Sequence, residues 1–383
     1  MKRSVDRILT THVGSLIRPK ALLDAVAEDR KGGSHETYLS VLKSSVESIV
    51  QEQAEHGIDI VNDGEFGKSS WATYARERMT GFEARRDQVV PCDWLGRDRE
   101  RFTEFLQETF PRGLTGLPAD ACVGPIAYSG KAIAERDAAN LKAAAAKVKV
   151  EDVFQTAVAP ASIDYDAINE YYTNERDYVY AIADALREEY QAIYKAGIVL
   201  QVDDAVLANM YDHLTKDDPS KYRKWAGLRV EALNHALEGI PADRVRYHIC
   251  FGSWHVPHVA DAPLEGFLDL MLSVNAGAYS IEAGNVRHEH EVEVWSRVKL
   301  PKDKILIPGV ISHHTVTVEH PQLVANRLVQ FAKYVGRENV IAGADCGFAQ
   351  AEGIQRVHRQ VMWAKFESLA EGARLATKTL WGR

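Results

Sequence analysis

The chain has 383 residues, 46% of them hydrophobic, and a formal net charge of -8. That length exceeds an average domain but suits an α/β barrel with insertions, and the apolar fraction is ample for a large core. No run of Lys or Arg marks a nucleic-acid face, no stretch approaches the ~18–20 apolar residues of a membrane span, and MKRSVDRILTTHVGS lacks the apolar core of a signal peptide. Four cysteines, Cys92, Cys122, Cys250 and Cys346, do not make a disulfide framework in so long a chain. A reducing, cytoplasmic setting with free thiolates is therefore expected.

In chain order, Ile8 to Val13 reads as a first strand that ends in THVGSLIRP. Ser15 and Arg18 in that loop suit a carboxylate or another anion, although Ser15 also suits a helix cap. Leu39, Leu42, Val46, Ile49 and Val50 recur at helical spacing and predict a helix over Tyr38 to His56, closed by Gly57. Ile58 to Val61 is then a short buried strand delivering NDGEFGKSSW, with Asp63 and Glu65 at its C-terminal end and Trp71 and Tyr74 placed to wall a pocket. Residues from about 80 to 150 break the rhythm and read as an inserted hairpin with short helices, followed by an Ala-rich helix from Ala138 to Lys147. Cys92 and Cys122 lie there without a ligand partner at metal spacing and read as unpaired thiols.

Val153 to Val158 resumes the alternation, a helix runs to Ala196, and Ile198 to Val202 is a strand ending in Asp203 and Asp204. Helix Lys221–Leu237, strand Arg246–Cys250, helix Leu264–Val274, strand Ala278–Glu282, helix Glu291–Val298, strand Ile305–Val310, helix Gln322–Val335 and strand Val340–Ala344 follow. Eight strands at the spacing of βα units predict a single (β/α)8 TIM barrel spanning residues 1–383, with the insert outside the strand count.

In a strand, residues i and i+2 share a face, so His248 and Cys250 in RYHICFG can bind one ion. Glu282 in YSIEAGN and Cys346 in GADCGFA stand at two further strand ends, and barrel strand ends converge on one mouth. Two thiolates, one imidazole and one carboxylate make a zinc set. His255 and His258 in WHVPH suit partners that orient a ligand, whereas RHEHE, with His288 and His290, reads as the charged start of a surface helix. Zinc at such a mouth would serve to activate the sulfur of a thiol.

The motifs HIC at 248–250, IEAGN at 281–285 and GADCGF at 343–348 resemble the zinc site of cobalamin-independent methionine synthases, and THVGSLIRP, VNDGEF and LQVDDA resemble further strand ends of that family. The resemblance implies that His248, Cys250, Glu282 and Cys346 hold Zn2+. It also implies that Ser15 meets an amino-acid carboxylate and that Glu65 and Asp203 hold its ammonium group. His314 in PGVISHHT resembles the family's proton-handling histidine, with His313 the adjacent alternative. The implied activity is methyl transfer from a methylated folate-type donor to a thiol such as homocysteine, with the loop Gly64–Trp71 and the insert on the donor side.

The chain has room for one barrel where full-length plant and bacterial members have two. It also resembles the shorter epoxyalkane:coenzyme M transferases in size, in RHEHE and in HHTVTVEHP. There a sulfonate-bearing thiol opens an epoxide, which calls for a basic group such as Arg18 or Lys68. A porphyrin-like decarboxylation would instead want an arginine cluster, and a non-catalytic zinc-binding barrel would have a saturated, shielded site. Partners are thus a small thiol and an alkyl donor, with no nucleic acid and no membrane; whether the chain forms a homo-oligomer is left open.

Overall fold

The computed structural model describes residues 1–110, 116–216 and 218–382. Eight parallel strands form a nearly closed barrel: β1 Leu9–Thr10, β2 Ile60–Val61, β3 Asp152–Val158, β4 Val199–Asp204, β5 Val245–Ile249, β6 Ala278–Ile281, β7 Ile305–Ile311 and β8 Ile341–Ala344. Each neighbour in sequence is the neighbour in space, and β8 returns to pair with β1. Between β1 and β2 the seam is held by Asp59 N–H donating to Thr10 O (3.2 Å) and the Thr11 hydroxyl donating to Ile60 O (3.0 Å). All eight expected strands are present, with bounds shifted by a residue or two.

Alternation along the strands separates two cores. On β5, Val245, Tyr247 and Ile249 join the large cluster between sheet and helices, while Arg246 and His248 face the barrel interior. The lower interior is filled by Leu9, Ile60, Phe154, Val199, Ala278, Ile305, Ile307 and Ile341. Arg246 closes this layer: its guanidinium stands 3.9 Å above the Phe154 ring and donates to the Thr11 hydroxyl (3.0 Å) and His12 O (2.7 Å). His248, two residues on, therefore sits one level higher, towards the mouth.

The outer helices start where side-chain caps predict. Ser34 accepts from Thr37 N–H to open His35–Glu55, Asn174 accepts from Asp177 N–H to open Glu175–Lys195, and Asp218 with Pro219 opens Pro219–Ala236. The helix expected from Ala138 begins earlier, as Lys131–Ala145, and packs between His35–Glu55 and Glu175–Lys195 in the outer ring. The added material is a small sheet in which Phe82–Pro91 pairs antiparallel with Gly116–Cys122, which in turn pairs with Ala167–Asn169. The turn expected at GLTGLPAD falls partly on residues 111–115, outside the described residues.

Among the described residues, helices absent from the sequence reading include Lys20–Arg30, Thr73–Glu77, Ala161–Asp164, Val206–Thr215 and Arg359–Trp381. The expected helix Leu264–Val274 is instead a 3-10 turn, Leu264–Gly266, and a short helix, Leu268–Ser273. Expected helix Glu291–Val298 is a 3-10 segment, Glu289–Ser296. Among the described residues, no helix is long and apolar enough to cross a membrane.

β7 and β8 approach most closely at Gly309, whose missing side chain leaves room for Asp345. A Cβ on Gly309 would lie 2.6 Å from the Asp345 backbone and nearer still to its carboxylate. Gly309→Ala should therefore destabilise the fold by about 1–3 kcal/mol, read as a lower midpoint in thermal unfolding. An unchanged midpoint would mean that the two strands separate at no cost.

Candidate metal centre and substrate cleft

Register brings the first members together. Asp203 on β4 pairs with His248 on β5, and His248 pairs with Ser280 on β6, so the three stand side by side at the top of the sheet. Cys250 follows β5 and Cys346 follows β8, the strand pairings that place them being fixed from opposite sides of the mouth. One ligand atom from each of His248, Cys250 and Cys346 lies within 4.8 Å of the others, and all three side chains are buried. The sulfurs are 3.4 Å apart, well beyond the ~2.05 Å of a disulfide bond, and all four cysteines are free and buried.

His248 Nδ1 meets the Ser280 hydroxyl at 3.2 Å, which fixes the ring. Its buried Nε2 has no hydrogen-bond partner among the described residues. Such an orphan is costly unless a ligand completes it. The hydrogen bond from Cys250 is the largest influence holding the Cys346 thiol well below its usual range, with His248 adding to it; burial opposes both. Cys250 is pushed well up, first by Cys346 and then by burial. The two thiols are thus drawn apart, Cys346 towards thiolate and Cys250 towards thiol. Ser253 completes the floor, its hydroxyl 3.2 Å from Cys346 and 3.8 Å from Cys250. Two soft sulfurs and a free imidazole nitrogen form a group that could hold a metal ion.

Glu282 stands just outside this triad. Its carboxylate accepts from Phe251 N–H (3.1 Å) and from Asn285 Nδ2 (2.9 Å), and burial, then Asp345 and Cys346, push its pKa well up. Among the described residues the metal-capable group has three members, and Glu282 is held beside it rather than in it.

Above the floor opens a partly enclosed cleft. Ser15, Glu65, Trp71 and Asp203 line it together with His248, Cys250 and Cys346, so strand ends from both halves of the chain share one cavity. The Ser15 hydroxyl and Glu65 Oε2 are buried without partners. Glu65 also adopts φ 61°, a left-handed conformation uncommon for a non-glycine residue and typical of functional sites. Burial is the main cause that raises Asp203 to about 7, with His248 opposing it and Glu65 adding to it.

Other sequence candidates lie elsewhere. Arg18 is buried and does not line the cleft; its Nη2 donates to the carbonyls of Glu65 and Lys68, 2.9 Å each. Lys68 is likewise engaged, donating to Thr156 O (2.6 Å) and Oγ1 (2.8 Å). His314 lines a neighbouring cleft with Glu282, and burial, then His258, lower its pKa to about 4. His313 is fully buried with both ring nitrogens unpartnered, and its charge would be felt by Cys346. His258 binds Asp261 (3.0 Å), and His255 stacks edge-on to His314.

RHEHE requires a correction. His288 is buried, 3.0 Å from Glu291 and 3.2 Å from Asp261, rather than the exposed start of a helix. These acids hold its pKa up at about 10 despite the opposing, larger effect of burial. Sequence reasoning also missed Asp345, Asn285, Ser253 and the cleft residues Trp94, Trp254 and Arg356. Asp345 and Asn285 sit inside quoted motifs and were within reach; the last three come from loops whose fold no periodicity announces.

A model of the catalytic domain of cobalamin-independent synthases matches residues 119–365. The methionine synthase of Saccharolobus solfataricus is 25% identical over 375 residues, covering 97% of this chain and 95% of that protein. That of Sulfurisphaera tokodaii is 24% identical, with coverages of 97% and 93%. Among solved structures, a B12-independent methionine synthase from Shewanella sp. W3-18-1, in complex with selenomethionine, superposes with a TM-score of 0.73 at 19% identity, covering 98% of this chain and all of that one. A putative vitamin-B12-independent methionine synthase from Listeria monocytogenes gives 0.66 at 19% identity, with 96% and 98% covered. Both show the same fold.

Cobalt(II) added to the reduced protein should produce an intense sulfur-to-metal charge-transfer band, because thiolates are the donors. Cys346→Ser should remove most of it and lower the bound metal. A band of full strength in that variant would show that Cys346 is not a ligand.

Proposed function

Because the chain belongs to the cobalamin-independent methionine synthase family, we propose that it is a zinc-dependent thiol S-methyltransferase that moves a methyl group from a methylated folate-type donor to homocysteine or a similar thiol. One observation carries this reading: the unpartnered His248 Nε2 and the paired sulfurs of Cys250 and Cys346 form the floor of the same cleft that holds Ser15, Glu65 and Asp203. His248, Cys250 and Cys346 would hold the zinc, and Glu282, whose carboxylate accepts from the Phe251 amide beside them, would be the fourth donor. Zinc there supplies a Lewis acid that lowers the pKa of a thiol brought against it.

The chain's own residues do the rest. Ser280 holds the His248 ring in one orientation. Glu65 and Asp203 offer carboxyl oxygens to an ammonium group, and a cation between them would draw Asp203 back to its ionised form. Ser15 offers a free hydroxyl to the carboxylate of the same amino acid. Trp71 walls the cleft and is fixed by its N–H to Gln350 O (2.9 Å), which limits water and narrows the approach of a donor.

His314 handles the proton that the leaving group needs. Its ring is neutral near pH 7, so it can take up the proton that the thiol releases and pass one to the leaving group, ending neutral again. His313, nearer Cys346, is the neighbour against which this role is tested. Four free thiols fit a reducing, cytoplasmic compartment.

Zinc-edge X-ray absorption should show one added sulfur when homocysteine is supplied. The same gain with coenzyme M alone would move the assignment to thiol addition on an epoxide. A shell that neither thiol changes would make the site structural. Asp203→Asn and Glu65→Gln should each raise KM for homocysteine by about 10–100-fold with zinc retained, as expected for a lost charged hydrogen bond; unchanged values would remove the ammonium site. His314→Asn should slow turnover with zinc retained, and an unaltered rate there with a slowed His313→Asn would transfer the proton role.

A further inference from the structure

Arg356 lines the cleft beside the metal-capable floor, and nothing among the described residues accepts a hydrogen bond or ion pair from its guanidinium. Other buried arginines are engaged through at least part of the guanidinium, although Nε is likewise without a hydrogen bond in Arg18, Arg76, Arg229 and Arg246. Arg76 meets Asp120 and Asp166, Arg78 meets Asp137 and Glu189, Arg229 meets Asp164 and Glu175, and Arg246 donates to Thr11 and His12. Arg356 is half-buried, with Nε fully shielded, and Cys346 and Cys250 are near enough for their charge to act on it. Apart from the charge of those sulfurs, no carboxylate among the described residues pairs with it.

Its position is built rather than accidental. After Cys346 the chain makes a small hairpin, Ala349–Ala351 against Ile354–Gln355, with Gly353 at φ 72° in the turn. Arg356 N–H then donates to Phe348 O (3.0 Å), which brings the residue back beside the strand end it left. The hairpin is tied to the β2 loop through Glu352 N–H to Ser69 O and Trp71 N–H to Gln350 O, 2.9 Å each. The guanidinium lies 5.0 Å over the Trp254 ring, which stacks on Trp94 at 5.9 Å. An aromatic shelf orients the planar fork and leaves its N–H groups free for a planar or tetrahedral oxyanion.

We propose that Arg356 is a specificity-determining residue that receives an oxyanion, carboxylate or sulfonate, carried by the substrate in this cleft. The cleft is then divided by charge: the acids Glu65 and Asp203 recognise a cationic group, and Arg356 recognises an anionic one. Arg18 and Lys68, the basic residues suggested by sequence, are already committed to backbone carbonyls and to Thr156. The proposal rests on reading the cleft as the substrate site, and it does not depend on which bond is made there.

The test is binding to the zinc-loaded protein, by tryptophan fluorescence and calorimetry, of ligands matched except for the anion. The pairs are 2-mercaptoethanesulfonate with 2-mercaptoethanol, homocysteine with its methyl ester, and 5-methyltetrahydrofolate with its glutamate bis-amide. Arg356→Gln should weaken the charged member of at least one pair about tenfold or more while leaving its neutral partner unchanged. Arg356→Lys should recover part of that loss. Selective loss in a thiol pair assigns the oxyanion to the acceptor, and selective loss in the folate pair assigns it to the donor. Equal loss in both members of every pair, or no loss in any, overturns the proposal and leaves Arg356 as packing for Trp254. Because no turnover is read, failure of methyl transfer to homocysteine would be a separate result.

Discussion

Asp345 is the constraint on which the arrangement of the mouth depends. Its carboxylate accepts from Ala283 N–H (2.9 Å), Gly284 N–H (2.7 Å) and Asn285 Nδ2 (3.1 Å), while its own N–H donates to Ile311 O (3.0 Å). One side chain thereby ties the loop after β6 to the ends of β7 and β8. Cys346 is the next residue along, and Asn285 reaches the other way to Glu282. The spacing between a sulfur on one strand and a carboxylate two strands away is thus set by a buried network, not by either residue alone. Gly309 is what makes space for it.

Around that tie, satisfied and unsatisfied polar groups are unevenly distributed. Deep arginines are paired, His288 is clamped between Asp261 and Glu291, and the barrel floor is apolar beneath Arg246. By contrast, the Ser15 hydroxyl, Glu65 Oε2, His248 Nε2 and Arg356 Nε face one cleft without partners. Each such atom costs of the order of 1–3 kcal/mol in a folded protein. Four such atoms on residues lining one cavity, together with the strained backbone of Glu65, suit a site prepared for a charged ligand.

Burial also determines which protonation states the mouth can hold. Cys346 is drawn towards thiolate and Cys250 towards thiol, Asp203 and Glu282 are drawn towards their neutral forms, and His313 and His314 are drawn to theirs. A cation placed on the floor would draw Cys250, Asp203 and Glu282 back towards their charged forms, since positive charge stabilises thiolate and carboxylate alike. In the adjoining cleft, on the other side of Glu282, the neutral His314 stands in a wall that also carries the charged pair of His288 and Asp261.

Strand existence was legible because each barrel strand is a short apolar run ending in chemistry-bearing residues, and period two put His248 and Cys250 on one face without any knowledge of the fold. The same logic assembled Ser15, Glu65, Asp203 and Cys346, since parallel strands can only deliver their C-terminal ends to one mouth. What sequence by itself determined, therefore, was the barrel, the family and the floor of the cleft. Tertiary structure alone decided where long side chains go. Arg18 turns to backbone carbonyls while Arg356, far along a loop, reaches the cleft; His288 is buried by acids from a separate loop; Glu282 is turned aside by an amide on β5's extension. These outcomes depend on loop paths and on competition for hydrogen bonds between residues distant in sequence, and local patterns carry no information about either.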